Sequence, residues 1–250
     1  DLRPYALSRP PAGRDNSEVP ELAQRTFYIL PSLQAGKVIG AHFAWLFRHP
    51  VRYLRCWSFA RRRRTRSESL LGSLWRAAHK QELTKAQRQN VLLNFFLIVP
   101  VARQMEEEGF SLIHAQYADS ASSLALLASM LLEIPFSFTA HAYDIFTPQV
   151  IFEEKLKRAR FIVTCTRYNR DYLLQNFGEL VGDKILVNYH GLDLTRLQPV
   201  ARTKQEPPVI LSVGRLVPKK GLGVLLHACK ILHDQGVAFK CLIVGDGPER

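Results

Sequence analysis

Cationic residues follow a buried-strand pattern in the stretch SVGRLVPKKGL, residues 212–222. The apolar run 209–213 ends at Gly214, and Arg215 and Lys220 precede a helical pattern. In a parallel sheet such a strand-turn-helix connection places its turn at the carboxyl edge, where ligands bind and helix amides attract anions. Arg215 and Lys220 therefore predict a clamp for a diphosphate, and Gly214 would let the ligand approach the backbone. The alternative is that these cations are solvated in a surface loop.

A second glycine-rich turn, VGDGPER at 244–250, follows the next apolar run and would lie at the same edge. Gly245 and Gly247 suit a turn for backbone reasons alone, so this signal is weak by itself. Two such turns in one small domain favour a phosphate or nucleotide site. The Walker pattern GxxxxGK[ST] is absent, and neither turn has GxGxxG with an acidic residue about 20 positions on, which argues against a dinucleotide oxidoreductase.

Polar side chains also follow a strand pattern in FTAHAYDIF, residues 138–146. His141 is a candidate for hydrogen bonding to a polar substrate or for proton transfer, and Asp144 is a possible substrate contact. The alternative is a packed histidine at a strand end. His114 has a similar place with weaker support, and His190 is interpreted as shaping a turn.

The cysteines give no sign of a metal or disulfide framework. The four are Cys56, Cys165, Cys229 and Cys241, with no CxxC pair and no histidine at metal-ligand spacing. This pattern predicts no zinc site and favours a reducing cytoplasm. The longest apolar run, 91–102, is shorter than the roughly 20 residues that span a bilayer, so no membrane-spanning helix is predicted.

The elements that would position these residues follow from the alternation of apolar runs and helical patterns after residue 110, which predicts an α/β fold with parallel strands. Strands are expected at 111–115, 136–140, 161–165, 184–188, 209–213 and 239–244. Asp119 is expected to cap one helix, and a second helix over 167–177 is expected to end at Gly178.

A composition break at 198–208 predicts an interdomain linker. We expect a first domain at 1–200 with a helical insertion at about 40–105, and the start of a second domain at 206–250. The second domain then holds only strand, helix and strand, too few to bury a sheet by itself. The chain is therefore interpreted as a piece of a longer protein, cut at both ends.

The net charge is +12, and eight arginines with no acidic residue lie between Arg48 and Arg66. Apolar and aromatic residues accompany them on the predicted helix, namely Val51, Tyr53, Leu54, Trp57 and Phe59. This mixture predicts a helix that lies on an anionic membrane, and a solvated basic helix is the alternative. No nucleic-acid partner is expected, because no recognised binding module is present.

Three blocks taken together resemble glycosyltransferase family 4, the retaining GT-B enzymes. SVGRLVPKKGLGVLLHACKIL with LIVGDGPER is similar to the start of that family's nucleotide-binding domain, and VNYHGLDLTRLQP to the segment that enters its linker. HAQYADSASSLALLASMLLEIPFSFTAHAYDIF resembles the first domain of members that build colanic acid and other exopolysaccharides.

The resemblance implies a GT-B fold of two Rossmann-like domains with parallel sheets, the second truncated here. Arg215 and Lys220 match the pair that holds the donor's diphosphate, and His141 matches the histidine near the transferred sugar. Gly245 and Gly247 fall on the turn that lines the nucleotide pocket. The family's glycine-rich first strand would precede the first residue of this chain, and its Glu-x7-Glu segment would follow the last.

The function expected from this resemblance is a retaining glycosyltransferase that needs no metal or other cofactor. It would move a sugar from a nucleotide diphosphate donor to a saccharide or lipid-linked acceptor in surface polysaccharide biosynthesis. We expect it in the cytoplasm, peripheral on the inner face of the plasma membrane. Residues 1–250 alone are expected to be inactive and aggregation-prone. The alternative function is a non-catalytic protein that binds nucleotide or a polyanion.

Overall fold

The computed structural model describes residues 3–7, 24–63, 69–79, 82–192, 194–195 and 206–250. The chain divides into two compact units, Asp1–Gly191 and Leu192–Arg250. Most of the predicted linker lies outside the described residues, so the predicted domain limits at 200 and 206 stay predictions.

The first unit is built on a parallel sheet. Its strands are β1 (Tyr5–Ala6), β2 (Phe27–Tyr28), β3 (Ile113–Gln116), β4 (Phe136–Ala140), β5 (Ile162–Thr164) and β6 (Ile185–Val187). The last four form one sheet in the order β3-β4-β5-β6 with every pair parallel, and β1 pairs with β2 separately, also in parallel. The predicted α/β class with parallel strands is confirmed here.

Helices precede this sheet and then connect its strands. They are α1 (Ile29–Ser32), α2 (Ala35–Arg48), α3 (Pro50–Arg62), α4 (Leu70–Ala78), α5 (Lys85–Arg88), α6 (Val91–Glu108), α7 (Ser120–Leu132), α8 (Ala142–Phe146), α9 (Phe152–Arg158) and α10 (Arg167–Val181). Asp119 caps α7 as expected, because its carboxylate accepts the Ala121 N–H at 2.9 Å.

The predicted end of α10 at Gly178 is only partly right, because the helix breaks at the preceding residue and then continues. The backbone leaves the helical region at Phe177, with φ −139° and ψ 22°, and then resumes as far as Val181. The extra turn places the Val181 side chain in the core, where it is fully buried. Gly182, with φ 46°, ends the helix instead, because glycine adopts a positive φ without a Cβ penalty.

Helix α6 is the centre of the core. Most of its side chains are buried, and it packs against α2 and α3 of the helical part and against α7, which covers the sheet. Pro100 lies inside α6 and cannot donate to the carbonyl of Phe96 one turn earlier. His42 of α2 contacts this freed oxygen through Nε2 at 3.4 Å, and its Nδ1 lies 2.9 Å from the Tyr53 hydroxyl. Burial lowers the pKa of His42.

The second unit consists of β7 (Val209–Val213), a 3₁₀ turn at Pro218–Lys220, α11 (Leu222–Asp234) and β8 (Lys240–Val244). Strands β7 and β8 are parallel, which confirms the predicted strand class here too. Parallel sheets are normally covered on both faces. In this unit Val213 of β7 and Val224 of α11 are 71% and 75% exposed, and Leu216 is the one buried side chain among its described residues.

Across the described parts of the chain, no helix combines the length and the apolarity that crossing a membrane requires.

Candidate active site

The carboxyl ends of β3, β4, β5 and β6 bring polar side chains to one edge of the first unit's sheet. Tyr117 directly follows β3, His141 directly follows β4, and Cys165 directly follows β5. His190 lies three residues after β6. Because the four strands are parallel, these residues share the edge where ligands bind in open α/β sheets.

His141 lies between two rings. Its centroid is 4.6 Å from that of Tyr117 and 5.3 Å from that of His190, with which it is nearly parallel at 7°. Tyr117 holds φ at 77°, in the left-handed region that non-glycine residues rarely adopt. Such backbone strain is concentrated at functional sites, so the conformation of Tyr117 supports a role for this edge in binding.

Cys165 and His190 complete a cluster that the sequence analysis missed. The donor atoms of His141, Cys165 and His190 all lie within 4.8 Å of one another. Two imidazole nitrogens and one sulfur are a donor set that suits zinc. Their separation along the chain hides them from any spacing rule, because each follows a different strand.

Asp144 stabilises the turns at this edge of the sheet. It is fully buried, and its two carboxylate oxygens accept hydrogen bonds from the backbone N–H groups of Ala118 and His141. Burial raises the pKa of the Asp144 carboxyl, while the amide hydrogen bonds act in the opposite direction. A substrate contact at Asp144 does not fit this burial, so we assign it to positioning the turns after β3 and β4.

Lys155 of α9 is a buried partner of the same turns. Its side chain is 1% exposed, and Nζ donates to the carbonyl oxygens of Ala118 at 2.9 Å and Asp119 at 2.7 Å. Burial lowers the pKa of Lys155 to about 7, although Asp119 and Asp144 oppose the shift. A neutral amine still has two hydrogens for its two acceptors. Sequence reasoning missed Lys155 because it lies in an ordinary charged helix surface pattern, FEEKLKR.

We expect Lys155→Met to lower the melting temperature, because the buried Ala118 carbonyl oxygen loses its donor and the Asp119 carbonyl oxygen, which also accepts from Ser122 and Ser123, loses one of its donors. The unfolded amine has a pKa near 10.5 and the folded one near 7, so between these values the unfolded state binds more protons. The contribution of Lys155 to the free energy of unfolding of the wild type therefore increases as pH rises. The deficit of Lys155→Met should widen from pH 6 to 9, as measured by calorimetry.

The matched control for this prediction is Lys157→Met, because Lys157 is an exposed lysine on the same helix. It should change the melting temperature little at any pH in this range. If the melting temperatures of wild type and Lys155→Met changed with pH in parallel, this result would contradict titration of the buried amine in this range.

Both ring nitrogens of His114 contact hydroxyl groups of the neighbouring strand. Its Nδ1 lies 2.7 Å from the Ser137 hydroxyl and its Nε2 lies 2.9 Å from the Thr139 hydroxyl. Burial lowers its pKa. Both ring nitrogens are engaged along β4, so a structural role for His114 explains its surroundings.

The predicted phosphate-binding turn of the second unit presents free cations. Arg215 and Lys220 are exposed, and neither has an acidic partner among the described residues. Lys220 ends the 3₁₀ turn, and Gly221, at φ 65°, connects it directly to the N-terminus of α11. The positive end of that helix dipole therefore lies beside Lys220, an arrangement that favours an anion.

The two glycine-rich turns touch through their backbones. A Cβ atom on Gly245 would lie 1.8 Å from the carbonyl oxygen of Gly214, and one on Gly247 would lie 2.2 Å from that of Leu216. By contrast, a Cβ on Gly214 would meet only Lys220 Cε, at an ordinary 3.8 Å. The contact between the two turns therefore requires glycine at positions 245 and 247, whereas a Cβ atom would fit at position 214.

The arginine-rich segment is only partly available for ligands. Arg52 and Arg55 pair with Glu133 at 2.7 and 4.0 Å, and Arg63 pairs with Glu154. The interpretation of Phe59 as an interfacial aromatic is wrong, because its ring is 6% exposed and packs in the core. The last arginines of the segment, at 64 and 66, lie outside the described residues.

Comparison with known families assigns both units. Residues 69–196 match the family described as Glycosyltransferase Family 4, about half of the chain, and residues 195–250 match Glycosyl transferases group 1. The chain belongs to glycosyltransferase family 4. The family resemblance predicted from the sequence is confirmed.

The family 4 region includes His141, Cys165 and His190, and the group 1 region includes Arg215 and Lys220. Helices α2 and α3 precede both matched regions.

Several relatives are named for exopolysaccharide biosynthesis. WcaL of Escherichia coli K12, named as a colanic acid biosynthesis glycosyltransferase, is 46% identical over 67 residues, which are 26% of this chain and 16% of WcaL. AmsK of Erwinia amylovora, an amylovoran biosynthesis glycosyltransferase, is 42% identical over 66 residues, again 26% of this chain and 16% of the relative. The matched part thus spans about one sixth of each of these relatives.

Among solved structures, the catalytic domain of starch synthase IV from Arabidopsis thaliana, bound to ADP and acarbose, aligns with a TM-score of 0.39 and 13% identity. The alignment covers 63% of this chain and 47% of that domain. A likeness of this size adds nothing to the fold described above.

Proposed function

We propose that the protein containing this chain is a retaining glycosyltransferase of exopolysaccharide biosynthesis. It transfers a sugar from a nucleotide diphosphate donor to a saccharide or lipid-linked acceptor, with the two Rossmann-like domains of a GT-B enzyme. The observation that carries the proposal is the pair of exposed cations, Arg215 and Lys220, in the connection between β7 and α11 of a family 4 chain, with no acidic partner for either within the part of the chain that the structure describes. The names of the relatives support the pathway class.

Arg215 and Lys220 would bind the donor's diphosphate. Cleavage at the anomeric carbon leaves negative charge on that group, and fixed cations stabilise charge that develops in the transition state. Because they already sit beside a helix N-terminus, little reorganisation is needed when the charge appears. These groups supply the neutralisation that a metal provides elsewhere, so we propose that transfer requires no metal or other cofactor.

His141 would lie near the transferred sugar, and its ring already stacks on His190 and contacts Tyr117 at a tilted angle of 42°. The Asp144 carboxylate accepts a hydrogen bond from the His141 backbone N–H, with a nitrogen–oxygen distance of 2.6 Å. This bond fixes the backbone from which the imidazole projects. We propose that His141 hydrogen-bonds the sugar and that Asp144 and Lys155 position the turns around it.

A donor screen of the full-length protein tests this function. Nucleoside diphosphate release would be measured for a panel of nucleotide sugars, with and without EDTA. We expect release with at least one donor and no loss in EDTA. Nucleotide binding without release from any donor, in the presence of acceptor lipid and saccharide extracts, would instead support the non-catalytic alternative.

We also propose that the helical part docks peripherally on an anionic membrane, at the cytoplasmic side where its free cysteines persist. Helix α2 exposes a row of apolar side chains at four-residue spacing, Ile39 (57%), Phe43 (57%) and Phe47 (81%). Val51 and Leu54 of the following helix, α3, are exposed as well. Exposed large apolar side chains in such a group mark an interaction surface.

An apolar groove of about 420 Å³ lies under this row. It is lined by side chains of α2, α3, α4 and α6, including Ile39 and Phe43. Arg61 and Arg62 lie on the same face of α3 as Leu54, seven and eight residues later, and neither has an acidic partner among the described residues. Apolar side chains beside unpaired arginines complement acyl chains beneath anionic headgroups.

Phe43→Ser with Phe47→Ser should weaken binding to vesicles of every composition, by at least about tenfold, because two aromatic rings lose their burial in lipid. Arg61→Gln with Arg62→Gln should weaken only binding to anionic vesicles, at about 1 kcal/mol per arginine. Vesicle sedimentation with and without anionic lipid measures both.

Tyr168→Ser is the matched control, because Tyr168 is 72% exposed on α10, outside the docking surface. Sedimentation in the absence of vesicles separates membrane docking from self-association through the same face. Equal binding by the Phe43→Ser, Phe47→Ser variant and wild type would exclude α2 as the docking surface.

A further inference from the structure

We infer that His141, Cys165 and His190 form a binding site for a borderline-soft divalent cation, with Zn²⁺ the expected ion. The site is not needed for sugar transfer. Its occupation would block transfer, and this second statement rests on the proposed function of His141. Nothing in the family match or in the relatives' names assigns such a site.

Three neighbouring strands build the site. His141 follows β4, Cys165 follows β5 and His190 follows β6, and these strands are consecutive and parallel in the sheet. The three donor atoms already lie within 4.8 Å of one another without an ion. Ligand distances of about 2.0–2.3 Å to zinc require the donor atoms to approach further, and the His190 ring, now nearly parallel to that of His141, must turn its nitrogen toward the ion. His190 is exposed in the segment after β6, where such a movement meets little packing.

The chemistry of the donors selects the class of ion. Imidazole and thiolate ligands suit zinc and its neighbours in the first transition row, whereas magnesium and calcium prefer oxygen. The nearest buried carboxylate, Asp144, is committed to two backbone N–H groups and is not available as an oxygen ligand. The three protein donors leave a fourth position for water or another ligand.

Binding would proceed by coordination and loss of one proton. Zinc accepts lone pairs from one nitrogen of each imidazole and from the Cys165 sulfur, and the thiol proton passes to solvent. Asn169 Nδ2 lies 3.5 Å from the Cys165 sulfur and would donate to the thiolate that forms. The His141 nitrogen engaged by zinc can no longer hydrogen-bond a sugar, so metal and donor sugar compete for this edge.

Co²⁺ is the spectroscopic probe, because a cobalt–thiolate bond gives a charge-transfer band that histidine alone does not. The full-length protein would be titrated with Co²⁺, and Zn²⁺ affinity would be measured by competition with a chromophoric chelator. We expect one ion per chain and a thiolate band. Cys165→Ser should abolish the band, and His190→Gln should weaken zinc at least about tenfold, as expected when a metal site loses even a supporting group.

Cys241→Ser and His227→Gln are the matched controls, because they remove a cysteine and a histidine of the second unit. Both should retain the Co²⁺ band and the wild-type Zn²⁺ affinity. Circular dichroism confirms that each variant is folded. A missing thiolate band in the folded wild type, or a band that survives Cys165→Ser and disappears in Cys241→Ser, would overturn the site.

Inhibition is tested separately from binding. Donor turnover with Zn²⁺ relative to turnover with EDTA should fall at least about tenfold in wild type and much less in Cys165→Ser. Equal inhibition of both would overturn the inhibitory role, as would full turnover with the site occupied. Because the Co²⁺ and chelator measurements do not depend on activity, failure of the proposed function would leave their outcome unaffected.

Discussion

Arg215→Ala and Lys220→Ala are each expected to reduce donor turnover by about ten- to a hundredfold in the full-length protein. Each removes a charge-assisted contact to the diphosphate that is worth roughly 1.5–3 kcal/mol, and about 1.4 kcal/mol corresponds to a factor of ten. Both side chains are exposed, without acidic partners among the described residues, so their loss should leave the fold intact. Steady-state release of nucleoside diphosphate at several donor concentrations measures the effect.

Lys219→Ala is the control for these two variants. It removes one positive charge from the same 3₁₀ turn, but Lys219 was not matched to the diphosphate pair, so its effect should be smaller. Normal turnover by folded Arg215→Ala and Lys220→Ala proteins would contradict the phosphate assignment. A loss as large in Lys219→Ala would point to general electrostatic attraction instead of a clamp.

Gly245→Ala is expected to weaken donor binding, because it forces the two glycine-rich turns apart. The new Cβ would lie 1.8 Å from the Gly214 carbonyl oxygen, a distance that forces the turns apart. Overpacking of this kind costs about 1–3 kcal/mol or more, and here it displaces the backbone beside Arg215. Nucleotide affinity from calorimetric titration and the melting temperature should both fall.

Gly223→Ala provides the matched substitution in the same unit. Gly223 lies in α11, and a Cβ there meets nothing within 4 Å. Alanine should be neutral there or stabilise the helix by up to about 1 kcal/mol. Unchanged nucleotide affinity in Gly245→Ala would show that contact between the two turns is not required for the donor site.

Much of the local structure could be predicted from the sequence. The strand predictions at 136–140 and 209–213 coincide with β4 and β7, and the cap at Asp119 is present. These features depend on interactions between residues a few positions apart, namely apolar runs, caps and turns. The three sequence blocks were also sufficient to predict the family to which the chain belongs.

Local rules failed where a distant contact decides the outcome. Glycine is a residue type that often ends helices, but the burial of Val181 favours one more turn after Gly178. Phe59 lies in an arginine-rich helix and resembles a membrane residue, but its ring is buried in the core and is flanked by Arg63 and Arg158, whose guanidinium groups lie 4.1 and 5.2 Å from its centroid. The burial of Val181 and the contact of Phe59 with Arg158 depend on other elements, whereas Arg63, four residues after Phe59, is a local neighbour.

The sequence by itself determined which residue types follow each strand, including His141 after one and the paired cations after another. Only the tertiary structure decided that His141, Cys165 and His190 meet, because their meeting requires three strands to align in parallel with matched registers. The same holds for Asp144 and Lys155, which satisfy backbone groups of the turn after β3, more than 20 residues away. Sheet pairing brings these groups together across long chain separations, and no spacing rule encodes the partner of a strand.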